Sequence, residues 1–184
     1  MRDFVTNSMT GTPAQTYFLK SERLGFRCWT EKDLPLALEL WGDLEVTRYF
    51  GGPFSEEEIA RRLEREIERM NGYGFQYWAI HSLSDDEHVG CCGLRPYRPE
   101  DQIHELGFHL RPKYWGQGLA VEAATAAINL AFGTIGAKGL SAGHHPGNVN
   151  SKKVIEKLGF RYNHDEFFDA LGIHIPYYLL ARPR

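Results

Sequence analysis

The sequence predicts one α/β domain built around a mixed, mostly antiparallel central sheet of about seven strands flanked by about four helices. Three observations lead there. Its 184 residues suffice for one core and are few for two. Seven segments carry strand-like apolar patterning, and four carry apolar residues at helical spacing. The middle strands follow one another through short polar turns, as antiparallel hairpins do, whereas the later strands alternate with helices. Residues 21–184 are expected to form the domain, behind a flexible lead over 1–20 in which Tyr17–Leu19 begins the first strand.

Each element has a local reason. Ser21–Trp29 alternates in part and reads as a strand. Thr30 and Asp33 then open a helix through Leu34, Leu38 and Trp41 that ends near Gly42. Ser55 with Glu58 forms a capping box, and Ile59, Leu63, Ile67 and Met70 mark the apolar face of a helix closing at Asn71-Gly72. Phe75–Leu83, His88–Tyr97 and Gln102–Leu110 form a meander, turning at Ser84-Asp85-Asp86 and Pro99-Glu100-Asp101. A helix runs from Gly116 to Phe132, and Lys138–His145 returns as a strand. Asn148–Leu158 is helical with Gly159 as its cap, and Phe160–Phe168 and Gly172–Leu180 complete the sheet.

Composition narrows the function. The net charge of −3 provides no basic footprint, so nucleic acid is not an expected partner. No apolar run is long enough to span a bilayer, and the first twenty residues lack the apolar stretch of a secretory signal. A cytoplasmic protein with reduced thiols is expected, since Cys28, Cys91 and Cys92 form no C-x-x-C pair. No metal is expected, because the histidines, including the adjacent His144 and His145, lack ligand spacing. Glycine is in excess, at 19 residues, which asks where backbone must turn or approach a ligand closely.

The strongest answer is the run Tyr114-Trp115-Gly116-Gln117-Gly118-Leu119-Ala120. Two glycines leave a strand and enter a helix, so successive N–H groups can converge on an anion at the helix N-terminus. A plain turn would use such glycines too. A dinucleotide fingerprint is excluded because the third glycine is missing and the loop comes late; a P-loop is excluded because no Gly-Lys-Ser/Thr follows.

Here the chain resembles the GNAT N-acetyltransferase family, and within it the RimJ/RimL-like branch. The family signature Gln/Arg-x-x-Gly-x-Gly/Ala is met by Trp115-x-x-Gly118-x-Ala120, with Trp115 as the departure. Three more segments resemble the family in order: SERLGFRCWTEKDL, HELGFHL, and the stretch from Asn148 to Phe160. The resemblance spans about Ser21 to Arg182. It implies an acetyl-CoA-dependent enzyme acting on a primary amine, either a protein N-terminus or a small molecule. Dimers are frequent in the branch, so a homodimer is compatible with it. It also implies that Trp115, Gly116, Gln117, Gly118, Leu119 and Ala120 hold the CoA pyrophosphate. The pantetheine arm would pair with Phe108, His109 and Leu110, where that strand splays from Lys138–His145, and Asn148 would touch the arm.

Acetyl transfer needs a neutral amine, a stabilised oxyanion and help for the leaving thiolate. A backbone N–H near Phe108 or His109 is expected to serve the oxyanion. In HELGFHL, Glu105, Gly107 and His109 share one strand face, with Gly107 leaving room between two titratable groups. Glu105 is the first candidate for taking the amine proton, through water; His109 is the alternative, and a solvated edge carboxylate the plain one. His104 lies on the opposite face. The branch places a hydroxyl donor to the CoA sulfur at Ser151, whereas the tyrosine that many relatives use corresponds to Ile155 here. Ser151 could equally bond backbone in its own helix, and Tyr177 and Tyr178 read as packing residues. The rival to an enzyme is a CoA-binding module that senses or scaffolds without catalysis.

Overall fold

The computed structural model describes residues 16–183. Its eight strands are β1 (Leu19–Lys20), β2 (Leu24–Arg27), β3 (Tyr77–Ser82), β4 (His88–Arg98), β5 (Ile103–Leu110), β6 (Gly139–Gly143), β7 (Arg161–Phe168) and β8 (Ile173–Ala181). Five helices flank them: α1 (Leu34–Trp41), α2 (Leu44–Thr47), α3 (Glu56–Tyr73), α4 (Leu119–Leu130) and α5 (Val149–Lys157). The sheet runs β1-β2-β3-β4-β5-β6-β8-β7, and every neighbouring pair is antiparallel except β5 with β6.

Three boundaries differ from expectation. The first strand is shorter than Ser21–Trp29, and Leu19–Lys20 pairs with it as a separate strand, which gives eight in place of seven. Leu19–Lys20 of the expected lead are thus part of the sheet, and its residues 1–15 lie outside the described residues. The short α2 was not foreseen; Asp43 caps it by accepting from the Glu45 and Val46 N–H groups. The expected capping box forms at Ser55 with Glu58, and the start at Thr30 with Asp33 forms one as well.

The sheet buries a core on each face. On one side Trp78, Cys92, Leu106 and Leu140 pack with the small face of α4 and with Ile155 of α5. On the other, Tyr77, Ala79 and Cys91 meet Leu40 and Trp41 of α1 and Ile59 and Leu63 of α3. Cys91 and Cys92, adjacent in β4, thus enter different cores as strand alternation requires.

The second core contains a charge. The buried stripe of α3 is Ile59, Leu63 and Glu66, and Ile67 is only partly buried. Glu66 Oε2 accepts from the Tyr77 N–H at 3.0 Å, and Oε1 accepts from Arg69 at 2.8 Å and Arg95 at 2.9 Å. One carboxylate therefore joins the helix to the start of β3 and the middle of β4. A fully enclosed carboxylate is tolerated only when paired and hydrogen-bonded in this way.

Removing it should take from the half-buried Arg95 its ion-pair partner and from the Tyr77 N–H its acceptor. Glu66→Ala is expected to cost about 3–5 kcal/mol in urea unfolding; a loss below about 1 kcal/mol would mean that the bridge is dispensable.

Candidate functional site

The sheet opens where its one parallel pair ends. β5 and β6 are in register only over Ile103↔Gly139, His104↔Leu140 and Glu105↔Ser141. Beyond that point β5 stays with β4 as far as Gly90↔Leu110, while β6 stays with β8 as far as Gly143↔Tyr177. The two strands part, and Glu105 sits at the vertex.

Glu105 faces the α1 and α3 side, as strand alternation predicts. The Tyr77 hydroxyl donates to its Oε1 at 2.7 Å. Burial, with Glu105 nearby, pushes the Tyr77 phenol well above its ordinary range, so it stays a donor. Tyr77 is itself held at its N–H by Glu66 and under the Arg95 guanidinium, 4.0 Å from the ring centroid. Arg95 also stands directly opposite Glu105 in the β4–β5 register. The expected open space at Gly107 is filled: a Cβ there would lie 2.0 Å from the Tyr77 hydroxyl oxygen. Gly107 makes room for the tyrosine that orients the carboxylate, and not for a substrate.

His109 is buried, its Nδ1 accepts from Trp41 Nε1 at 3.2 Å, and burial with the charges of Arg62 and Arg95 drives its pKa well below the ordinary value. The ring is a neutral packing partner, with Phe50 edge-on to it at 4.7 Å. Its N–H is corrected as an oxyanion donor. Arg111 N donates to Val89 O, which fixes the antiparallel alternation and turns the His109 N–H toward β4. The same alternation turns the Phe108 and Leu110 N–H groups into the gap. Leu110 O faces that way too and accepts from the Trp115 indole at 2.7 Å.

Trp115 therefore ties the glycine loop to the end of β5. Gly116 and Gly118 have φ of 74° and 78°, the left-handed region that glycine adopts without strain. Among the described residues, the N–H groups from Gly116 to Val121 find no acceptor. They line the first turn of α4, where a helix end favours an anion. Leu119 is buried and Ala120 packs beside it, so those two offer backbone alone. Gln117 is exposed; its side-chain amide donates to Lys113 O at 2.8 Å and its backbone carbonyl accepts from Arg23 at 3.1 Å. Arg23 is in turn clamped by Glu122, which also accepts from the Arg23 N–H and the Ser21 hydroxyl, each at 2.7 Å.

Across the gap, α5 begins at Asn148. Its Oδ1 accepts from the Ser151 N–H at 3.0 Å as the helix cap, so only its amide NH2 is left for a ligand. The Ser151 hydroxyl has no hydrogen-bond partner among the described residues and is half-buried. Ile155 is core, in keeping with the missing tyrosine. Tyr177 pairs with Gly143 at the open end of β6, and burial with nearby Glu105 and Glu166 raises its phenol. The structure thus gathers Glu105, the free edge of β5 and the open loop around one gap. The sequence reading missed Tyr77, Arg95 and Glu66. The signal available was a glutamate at the 59–63–66 spacing of a buried helix face.

Residues 23–161 match the family model described as the Acetyltransferase (GNAT) domain. An uncharacterised N-acetyltransferase, p20 of Bacillus licheniformis, is 30% identical over 145 residues, covering 78% of this chain and 82% of p20. A GNAT-family acetyltransferase from Bacillus anthracis superposes with a TM-score of 0.77 at 25% identity, over 89% of this chain and 98% of that one. Spermidine N-acetyltransferase from Vibrio cholerae, solved with CoA and spermine, shares the fold with a TM-score of 0.72 at 16% identity, over 86% and 95% of the two chains.

Tyr77→Phe removes one charge-assisted hydrogen bond and should lower turnover about ten- to a hundredfold. The KM for acetyl-CoA should hardly change; a variant with unaltered turnover would free Tyr77 of any role in aligning Glu105. The neutral histidines give a second expectation. His88 is pushed down to about 3, and His81, His104 and His109 are lowered, in each case chiefly by burial. Unfolded histidines titrate near 6.5, so below that pH the unfolded chain binds protons that the native state refuses. Urea midpoints should therefore fall steadily between about pH 7 and about pH 5, and a flat profile would contradict the neutral state of these rings.

Proposed function

The chain belongs to the GNAT acetyltransferase family, and we propose that it moves the acetyl group of acetyl-CoA onto a primary amine by direct attack within a ternary complex. The observation that carries this reading is Glu105, held by Tyr77 at the vertex where β5 and β6 part. The features of the RimJ/RimL branch, the Trp115–Ala120 loop and the Asn148–Ser151 pair, support that placement within the family. The acceptor is either a protein N-terminal α-amine or a small-molecule amine.

The residues divide the work. The loop N–H groups from Gly116 to Val121 take the pyrophosphate, and the free edge at Phe108 and Leu110 pairs with the pantetheine arm beside Asn148. Glu105 receives the amine proton through water, so that the nitrogen lone pair can attack the thioester carbon. The Phe108 N–H faces the gap and donates to the oxyanion that forms. As the C–N bond closes and the C–S bond breaks, the Ser151 hydroxyl donates to the departing sulfur. A thiol with an ordinary pKa near ~8.5 needs only such modest help. His109 and Leu110 shape the wall, and Trp115 keeps the loop attached to it.

Thiol release from acetyl-CoA over a panel of amines and N-terminal peptides tests the reading. Turnover is expected with at least one acceptor, and Glu105→Gln should reduce kcat by about a hundred- to ten-thousandfold. Clear CoA binding with no turnover on any amine would leave the non-catalytic module instead.

A further inference from the structure

Arg62 is the anomaly of the acceptor side. Its guanidinium carbon lies 4.7 Å from the Trp41 ring centroid and 6.0 Å from that of Phe54. It forms no ion pair among the described residues, and its Nε is sealed from solvent with no acceptor. The nearest buried carboxylate, Glu66, is already engaged by Arg69, Arg95 and the Tyr77 N–H. Burial and the Arg95 charge lower its pKa to about 10, which leaves it cationic at neutral pH. A half-buried guanidinium with a sealed, unpaired Nε calls for an explanation.

The surroundings supply one. Arg62 lines a cleft of about 230 Å³ together with Phe54, Glu58, Arg61 and Arg65. The four charged residues fall at helical neighbours 58, 61, 62 and 65, on one stripe of α3. Two of them already have partners: Glu58 is bound by the Ser55 N–H and hydroxyl at 2.8 and 2.9 Å, and Arg61 by Glu57 at 2.6 Å. Arg65 is exposed and carries no ion pair among the described residues. The cleft thus presents two uncommitted guanidinium groups over an aromatic wall. Through Trp41, which donates to His109, it adjoins the same sheet face as Glu105, opposite the core that α4 and α5 cover.

We propose that this cleft is an anion subsite for the acceptor, so that the amine presented to Glu105 belongs to a molecule that also carries a carboxylate. Arg62 and Arg65 hold that carboxylate, for which the planar fork of a guanidinium is suited. The proposal rests on the acetyl-transfer reading. Its chemistry is shared by a free acidic amino acid and by a peptide with an acidic residue near its N-terminus.

The test compares acceptors that differ in one carboxylate. Glutamic acid α-amide is set against glutamine amide, and a short peptide amide bearing glutamate at its second position against its glutamine counterpart. The KM should be about ten- to a hundredfold lower for the carboxylate member of one pair, and the pair that responds separates the free amino acid from the peptide. Arg65→Gln, on an exposed position, should erase that preference while leaving the neutral acceptors unchanged; Arg62→Gln should do the same if it folds. Equal KM values within both pairs, or equal losses on both members, would overturn the subsite. Succinate provides a readout without turnover. At millimolar concentration it should raise the Tm of the native protein and not that of Arg65→Gln. Stabilisation by succinate with no acetyl transfer would keep the cleft and remove the transfer reading. Transfer without either carboxylate effect would do the reverse.

Discussion

A single buried carboxylate organises the face of the sheet that α1 and α3 cover. Glu66 reaches from α3 to the first residue of β3, to Arg95 in β4 and along its own helix to Arg69. Tyr77 owes its position to that contact and to the arginine above its ring, and Glu105 owes its orientation to Tyr77. The chain of dependence runs from a helix through two strands to the vertex of a third. Each link is a hydrogen bond to a charged group or a cation against an aromatic ring, interactions that strengthen where water is excluded.

The sheet divides the labour between its faces. On one, α4 and α5 pack small and aliphatic residues closely, and their N-terminal ends carry the open N–H groups and the Ser151 hydroxyl. On the other, α1 and α3 cover a core in which β3 and β4 bring Tyr77 and Arg95 to Glu105. The two meet only where the parallel register stops after Glu105↔Ser141. A fully zipped parallel pair would have satisfied the backbone of Phe108 and Leu110 and left no gap between the faces.

Most of the architecture was legible in the sequence because its signals are local. Capping boxes, turn residues and apolar periodicity named every long element and nearly every strand, and they ordered Glu105, Gly107 and His109 on one face correctly. What escaped depends on contacts far apart in sequence. Tyr77 sits in a strand whose aromatic residues all read as core, and nothing local says that its hydroxyl ends on Glu105, 28 residues away. Glu66 and Arg62 belong to a helix rich in both charges, which reads as a solvated face with Ile67 at its apolar centre. Tertiary packing rotated that helix so that Glu66 is enclosed and Arg62 stacks on Trp41. Nor does anything local say that His109 is enclosed beside the Trp41 indole, 68 residues away.

The clamp of Arg23 and Glu122 on the glycine loop bears on the kinetics of this site. With the Gln117 carbonyl fixed from outside and Trp115 fastened to Leu110, the shape of the loop is set by contacts within the fold. The ordering entropy of that segment is therefore met during folding, and an anion taken up there, as proposed above, would not have to order it. On the proposed reading, capture of the cosubstrate should then proceed by docking onto a loop that is already shaped.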